Sequence, residues 1–203
     1  MKNYLRLSLL ATTLCFAQCT KEEDTTPAKT GTGAKPAVNY DQESIKLMNK
    51  LTPHMLGDWS LQRVYVKRQS YNSSQAEIGI KRDTVLQELA ILSIRQAAVS
   101  RTTPKDLRHP DFDCTIHYKG KSYPMAFWLL ANAEHVLANT GPHASFVLRY
   151  DFPAGTRFPE AEEKYLSSLG LTDNFFVETT ADPNTMTWFG LNRGIDKIEL
   201  KKR

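Results

Sequence analysis

A chain of 203 residues is the length of one globular domain with some length to spare for a leader and a linker. Its apolar and charged fractions, 41% and 24%, are those of an ordinary folded soluble domain. The formal charge of +4 falls by two, to +2, once Lys2 and Arg6 leave with a leader ending at Gln18, and a chain so nearly balanced lacks the dominant basic stripe of a nucleic-acid binder.

The N-terminus reads first. Lys2 and Arg6 precede a mainly apolar run of eleven residues, Leu7 to Ala17. As a helix it reaches about 16 Å, roughly half a hydrocarbon core, so it reads as a secretory signal and not as a membrane span. The run stops at Phe16-Ala17-Gln18-Cys19, and polar residues follow at once. This arrangement resembles the lipobox of bacterial lipoproteins. The resemblance implies a signal peptide over 1–18, cleavage before Cys19, a diacylglyceryl group on the Cys19 thiol, and acylation of the new amine, as by palmitate. Cys15, after Thr12-Thr13-Leu14, is a competing anchor; Cys19 is favoured because the apolar run continues past Cys15 and ends at Ala17. The cluster Lys21-Glu22-Glu23-Asp24 resembles the surface-export signal of lipoproteins in some Gram-negative bacteria. It implies a protein lipid-anchored in the outer membrane and displayed at the cell surface. Residues 19–40 then form the lipidated cysteine and a tether of Thr, Lys, Ala, Gly and Pro, too poor in apolar surface to fold, with a reach of about 25 Å. Only Cys19 and Cys114 remain after cleavage, and no intramolecular disulfide is expected.

Residues 41–203 read as the folded domain. Asp41 is placed to cap a short helix carrying Ile45, Met48 and Leu51, with Thr52-Pro53 as its end. In "MLGDWSLQRVYVKRQ", Trp59 and Leu61 share one phase and Val64 and Val66 the other, so the strand contains a bulge or is buried on both faces. "DTVLQELAILSIRQAAV" is read as mainly β from its Val and Ile content. "DCTIHYKGKSYPMAFWLL" is a hairpin turning near Lys119-Gly120, and "HASFVLRYDF", "FFVETT", "TMTWFGL" and "DKIELKK" are further strands. Turns fall at Asp182-Pro183-Asn184 and Asn192-Arg193-Gly194. One clear helix starts at Pro159, with Glu160, Glu162 and Glu163 in its first turn, and closes at Gly170.

Eight to ten strands, roughly, with few helices predict a mainly β domain: an antiparallel barrel, or a β-sandwich, with one or two short helices. Gly57-Asp58-Trp59, near the start of the first strand and after a helical entry, resembles the Gly-x-Trp motif of lipocalin-like families. The resemblance implies an up-and-down barrel closed at one end by Trp59, with a basic residue from near the last strand over its ring; Arg193, Lys201 or Lys202 are the candidates.

For chemistry, "RHPDFDCTIHYKG" alternates His109, Asp111, Asp113, Thr115 and His117 against Phe112, Cys114, Ile116 and Tyr118. This is read as the wet and dry faces of an amphipathic strand, with no metal site. Cys114 falls on the dry face as an inert thiol. No nucleophile elbow, phosphate loop, zinc-protease pair or dinucleotide fingerprint is present, so neither an enzyme nor a cofactor is expected. Two functions fit. The favoured one is a barrel that binds a small apolar ligand, with Tyr123, Met125 and Phe127 as candidate wall residues. The other is a filled barrel that docks onto an envelope partner. The same apolar side chains serve either.

Overall fold

The computed structural model describes residues 37–101, 106–192 and 194–203. The leader, Cys15, Cys19, the Lys21–Asp24 cluster and Arg193 lie outside them.

Helix α1, Tyr40–Met55, begins two residues earlier than Asp41 would allow as a cap. Asn39 takes that role instead, its side chain accepting from the Gln42 N–H, and Asp41 sits in the first turn where its charge favours the helix dipole. The helix also runs past Pro53. Proline removes one helical hydrogen bond, but Leu51 and Met55 are buried on either side of it, and His54 Nδ1 donates to the Lys50 carbonyl at 3.0 Å. Packing of the last turn outweighs the lost bond.

The strands follow as β1 (Gly57–Val66), β2 (Thr84–Gln87), β3 (Ile91–Gln96), β4 (Asp111–Tyr118), β5 (Lys121–Trp128), β6 (Leu130–Ala131), β7 (Ala144–Val147), β8 (Arg149–Tyr150), β9 (Asn174–Thr179), β10 (Thr185–Gly190) and β11 (Ile195–Lys202). Helix α2 (Ser73–Glu77) precedes β2, α3 (Ala133–Ala138) lies between β6 and β7, and α4 (Ala161–Leu169) precedes β9. The phase change expected in β1 is present: its pairing with β11 shifts register between Leu61 and Arg63, which returns Val64 and Val66 to the core face that Trp59 and Leu61 occupy. β2 and β3 are one strand interrupted by a bulge. Glu88, at φ 46°, donates its N–H to the Gln62 carbonyl, and Leu89 donates to Leu61. The β4–β5 turn places Lys119 at φ 49° and Gly120 at φ 76°, the paired left-handed geometry that a tight hairpin requires.

Every pairing is antiparallel, and the ladder runs β6-β7-β9-β10-β11-β1-β3-β4-β5-β8, with β2 beside the far half of β1. Its two ends belong to the same two stretches of chain, because β6 continues β5 and β8 continues β7. Met125 faces Tyr150 and Ala131 faces Ala144 on a single antiparallel register, so the ends meet and the sheet curls into a barrel. Each stave pairs with the next in sequence, and β11 returns to β1.

Helix α1 covers the end at which β1 starts, burying Met48, Leu51 and Met55. Helix α4 lies at the hairpin-tip end, where Tyr165 stacks on Tyr118 at 5.7 Å. Its capping box joins Glu160 and Glu163, and Arg157 grips Glu163 with two bonds of 2.9 and 2.7 Å. Between the ends the barrel is packed with rings. Phe127 stacks on Phe112 at 4.8 Å and meets Phe146 at 4.7 Å, and Trp188 closes on Phe146 at 4.8 Å. Each fully buried ring contributes roughly 1.5–3 kcal/mol relative to exposure.

Candidate functional site

Gly57 and Trp59 lie at the α1 end, where β1 starts. Trp59 is fully buried, and its Nε1 donates to the Met55 carbonyl at 2.9 Å, so the helix that precedes the strand supplies the indole with its partner. Directly opposite Trp59 in register is Lys202, whose ammonium lies 5.3 Å from the ring centroid. Lys201 is opposite Ser60 and belongs to the outer face.

The three proposed wall residues are buried, each against different neighbours. Tyr123 donates its hydroxyl to Glu160 Oε2 at 2.9 Å, at the start of α4; burial, and then the neighbouring carboxylate, push its pKa up to about 12. Met125 is buried in the core, and Phe127 is at the centre of the ring stack. Clefts of 160–660 Å³ open between the described elements, and none is walled by Tyr123, Met125 or Phe127. Inside the barrel one polar atom stands out: Trp188 Nε1 is buried without a hydrogen-bond partner.

The histidine–aspartate segment is divided by the fold. His117 bonds Ser122 Oγ at 2.8 Å on the outer wall, and Asp113 holds Arg101 at 2.6 Å. His109 and Asp111 instead line a cleft of about 320 Å³ between α1 and the segments on either side of residues 102–105. Its other walls include Met48, Asn49, Thr52, Ala98 and Leu107. Alternation assigned Asp111 to the wet face, yet it is only 7% exposed. The chain leaving β3 folds back over it, so that Ser100 Oγ and the Arg101 N–H donate to Oδ2 at 2.9 and 3.0 Å. Oδ1 has no hydrogen-bond partner. One terminal nitrogen of Arg101, Nη2, bonds Asp113 and Asp151, the latter at 2.8 Å, while Nη1 is buried without a hydrogen-bond partner.

Beside it, Arg108 clamps Asp106 through Nε at 3.0 Å and a terminal nitrogen at 2.7 Å, holding that carboxyl well below the usual range. His109 Nδ1 lies 3.0 Å from Asp106 Oδ2. A carboxylate only accepts, so Nδ1 carries the proton, and in the neutral ring Nε2 is an acceptor. The cleft thus offers hydrogen-bond acceptors among apolar walls. Nothing in the sequence marked Asn49 or Asp106, because their placement comes from elements that meet only in the fold.

Beside the start of β3 and the end of β4 a more open cleft of about 660 Å³ gathers Lys119, Lys201, Lys202 and Arg203 around Glu88 and His117. Among the described residues no group of three or more His, Cys, Asp or Glu side chains is placed to hold a metal ion. Cys114 is buried, and burial raises its thiol pKa far above the ordinary value, which leaves it unreactive. No protein-family model matches the chain, and neither do any curated protein or solved structure.

Proposed function

We propose that this protein is a lipid-anchored interaction module of the outer membrane, held through Cys19, displayed by way of Lys21–Asp24, and built on a filled lipocalin-like barrel that acts by contact and not by catalysis. The observation that carries this reading is the ring stack of Phe112, Phe127, Phe146 and Trp188, whose close spacing occupies the space an interior ligand would need. The outer wall adds support. Arg149 lies 4.9 Å over the half-exposed Trp128 ring, with Leu130 and Val147 exposed beside it, the residue types that dominate protein–protein contacts.

A carrier of a small apolar ligand is the second reading, favoured by Trp188 Nε1, which an acceptor on such a ligand would satisfy. Native mass spectrometry of the full-length protein purified without detergent separates the two. A clean protein mass and no uptake of an apolar fluorescent probe are expected. A co-purifying small molecule, lost when Trp188 is replaced by Phe in a variant that still folds, would restore the carrier. The anchor is tested by Cys19→Ala, which should abolish fatty-acid labelling and move the protein out of the membrane fraction; unchanged labelling would assign the anchor to Cys15.

A further inference from the structure

We propose that the basic cleft beside the start of β3 and the end of β4 is a binding site for a phosphate monoester group, held by the ammonium groups of Lys119 and Lys201 and the guanidinium of Arg203. Two distant stretches of chain bring four cations to this one concavity of about 660 Å³. Lys119 stands in the β4–β5 turn at φ 49°, while Lys201 and Lys202 end β11 and Arg203 follows them. Backbone bonds hold that end in place: the Lys202 N–H donates to the Asn184 carbonyl at 2.8 Å and the Arg203 N–H to the Asp58 carbonyl at 2.9 Å. Cations elsewhere on the barrel wall are paired, Arg63 and Lys197 with Glu199, Arg95 with Asp58, and Lys121 with Glu160 and Glu162. Among the described residues none of the four in the cleft makes an ion pair, although Glu88 shares the cleft with them. Even with the main-chain carboxylate of Arg203 counted beside Glu88, an excess of at least two positive charges remains.

The lining selects among ligands. Charges of one sign around a concavity repel one another and focus their field into it, and a multiply charged anion relieves the first while using the second. A phosphate monoester carries about −1.5 to −2 charge at neutral pH and three acceptor oxygens, where a carboxylate carries one charge and two oxygens. Arg203 supplies a planar fork for two of those oxygens and the lysines supply point charges. Lys201, Ser60, Ile91 and His117 form one cross-strand row, alternating with the inward Trp59, Leu92 and Ile116, so the cleft lies on the outer wall. Ser60 and Gln62 add uncharged donors, and the half-buried Leu89 and Ile91 give apolar surface to the organic part of the ester. His117 is occupied by Ser122 and Ser93 at its two ring nitrogens. The concavity suits a compact ligand better than the broad face of an acidic protein. Both a soluble phosphate ester and the headgroup of a phosphatidic lipid present this chemistry. Because the cleft is outside the barrel, it does not depend on whether the interior is filled.

The test is titration of the full-length protein with glycerol 3-phosphate, followed by amide chemical shifts and by calorimetry. Saturable shifts centred on Ser60, Gln62, Leu89, Ile91 and Lys201 are expected, and none with glycerol. Lys201→Gln combined with Arg203→Gln, both at exposed positions, should weaken binding about 10–100-fold in a protein that melts normally, as expected for charge-assisted hydrogen bonds. Lys81→Gln combined with Arg82→Gln removes the same charge near the far end of β1, beyond β2, and should leave the affinity within about twofold, since solvent screens charges at that distance. Dihexanoyl phosphatidic acid, kept below its micelle concentration, separates the two sources: tighter binding than glycerol 3-phosphate identifies a lipid headgroup, and binding no tighter identifies a free phosphate ester. Hexaglutamate should bind more weakly than glycerol 3-phosphate. Absence of saturable shifts with both phosphates, hexaglutamate binding at least as tightly, or equal weakening by the two double variants would each overturn the proposal. Should the Lys201 and Arg203 variant not fold, undiminished binding by Lys119→Gln overturns it equally.

Discussion

Gly57, Trp59 and Lys202 form a unit in which each residue type is required by the next. At φ 129° Gly57 occupies backbone space that L side chains avoid, and a β-carbon there would stand 2.6 Å from Lys202 Cε. The missing side chain lets the Lys202 stem cross the strand end and bring its ammonium over the indole. Gly57→Ala should therefore cost about 1–3 kcal/mol in urea unfolding. Adding Lys202→Ala should return only the steric part, since the backbone strain persists; full recovery would mean that the strain is absent. Trp59→Ala should cost roughly 3–5 kcal/mol, the price of an emptied aromatic site in a core. Trp59→Phe should keep most of the packing and lose the bond to the Met55 carbonyl, worth about 1 kcal/mol. The Gly-x-Trp pair was legible in the sequence. Which basic residue would meet it was not, because that depends on the register of β11 against β1, and the shift between Leu61 and Arg63 resets the phase that simple counting would carry through.

Elements were most legible where local chemistry is sufficient. The Lys119-Gly120 hairpin, the acidic start of α4 and its Gly170 stop, and the bulge in β1 all follow from a few adjacent residues. The short helices α2 and α3 carry no such signal, being single turns held by Asn72 and Asn132 as caps. Asp111 shows the same limit from the other side: alternation tells which sheet face a residue takes, but not that a distant loop will bury that face. The α3–β7 connection makes a pH-dependent contact of its own. His143 Nδ1 accepts the Thr179 N–H at 3.3 Å, and its ring lies 4.3 Å from that of His135. Burial first, and then the charges of His135, Lys50 and His54, lower its pKa below the ordinary 6.5. A group whose pKa is lower in the folded state is bound by fewer protons there than in the unfolded chain, so acid favours unfolding. The contribution to stability is fully present above about pH 6.5 and is lost as the pH falls through the lowered value. The melting temperature should drop between pH 7 and pH 5 by more than in His143→Asn, whose amide oxygen keeps the acceptor and does not titrate. Equal drops would remove His143 from the acid response.

At the scale of the whole molecule, the barrel was legible as a count of strands and turns, while its filling was not, because a solid core and a pocket wall use the same apolar residues. How the barrel closes is equally invisible to periodicity, and it has a mechanical consequence. β1 and β11 share seven register pairs and β4 and β5 share eight, whereas the seam joining the β5–β6 stretch to the β7–β8 stretch is held by two short patches, Met125–Ala126 on Tyr150–Arg149 and Leu130–Ala131 on Ser145–Ala144. Leu129 and Leu148 donate their N–H groups away from the seam, to Pro110 and to Asp173, so by alternation the amides of Trp128 and Val147 face it. A seam with so few ladder pairs should open at lower free energy than the rest of the barrel, and opening there needs no disruption of the ring stack beyond Phe127 and Phe146. In native-state hydrogen exchange the Trp128 and Val147 amides should exchange through local opening with weak denaturant dependence, while those of Val64 and Ile198 should exchange only with global unfolding. If all four show the same free energy and the same denaturant slope, the seam is as strong as the other staves, and the aromatic stack, not the backbone ladder, is what holds the barrel closed.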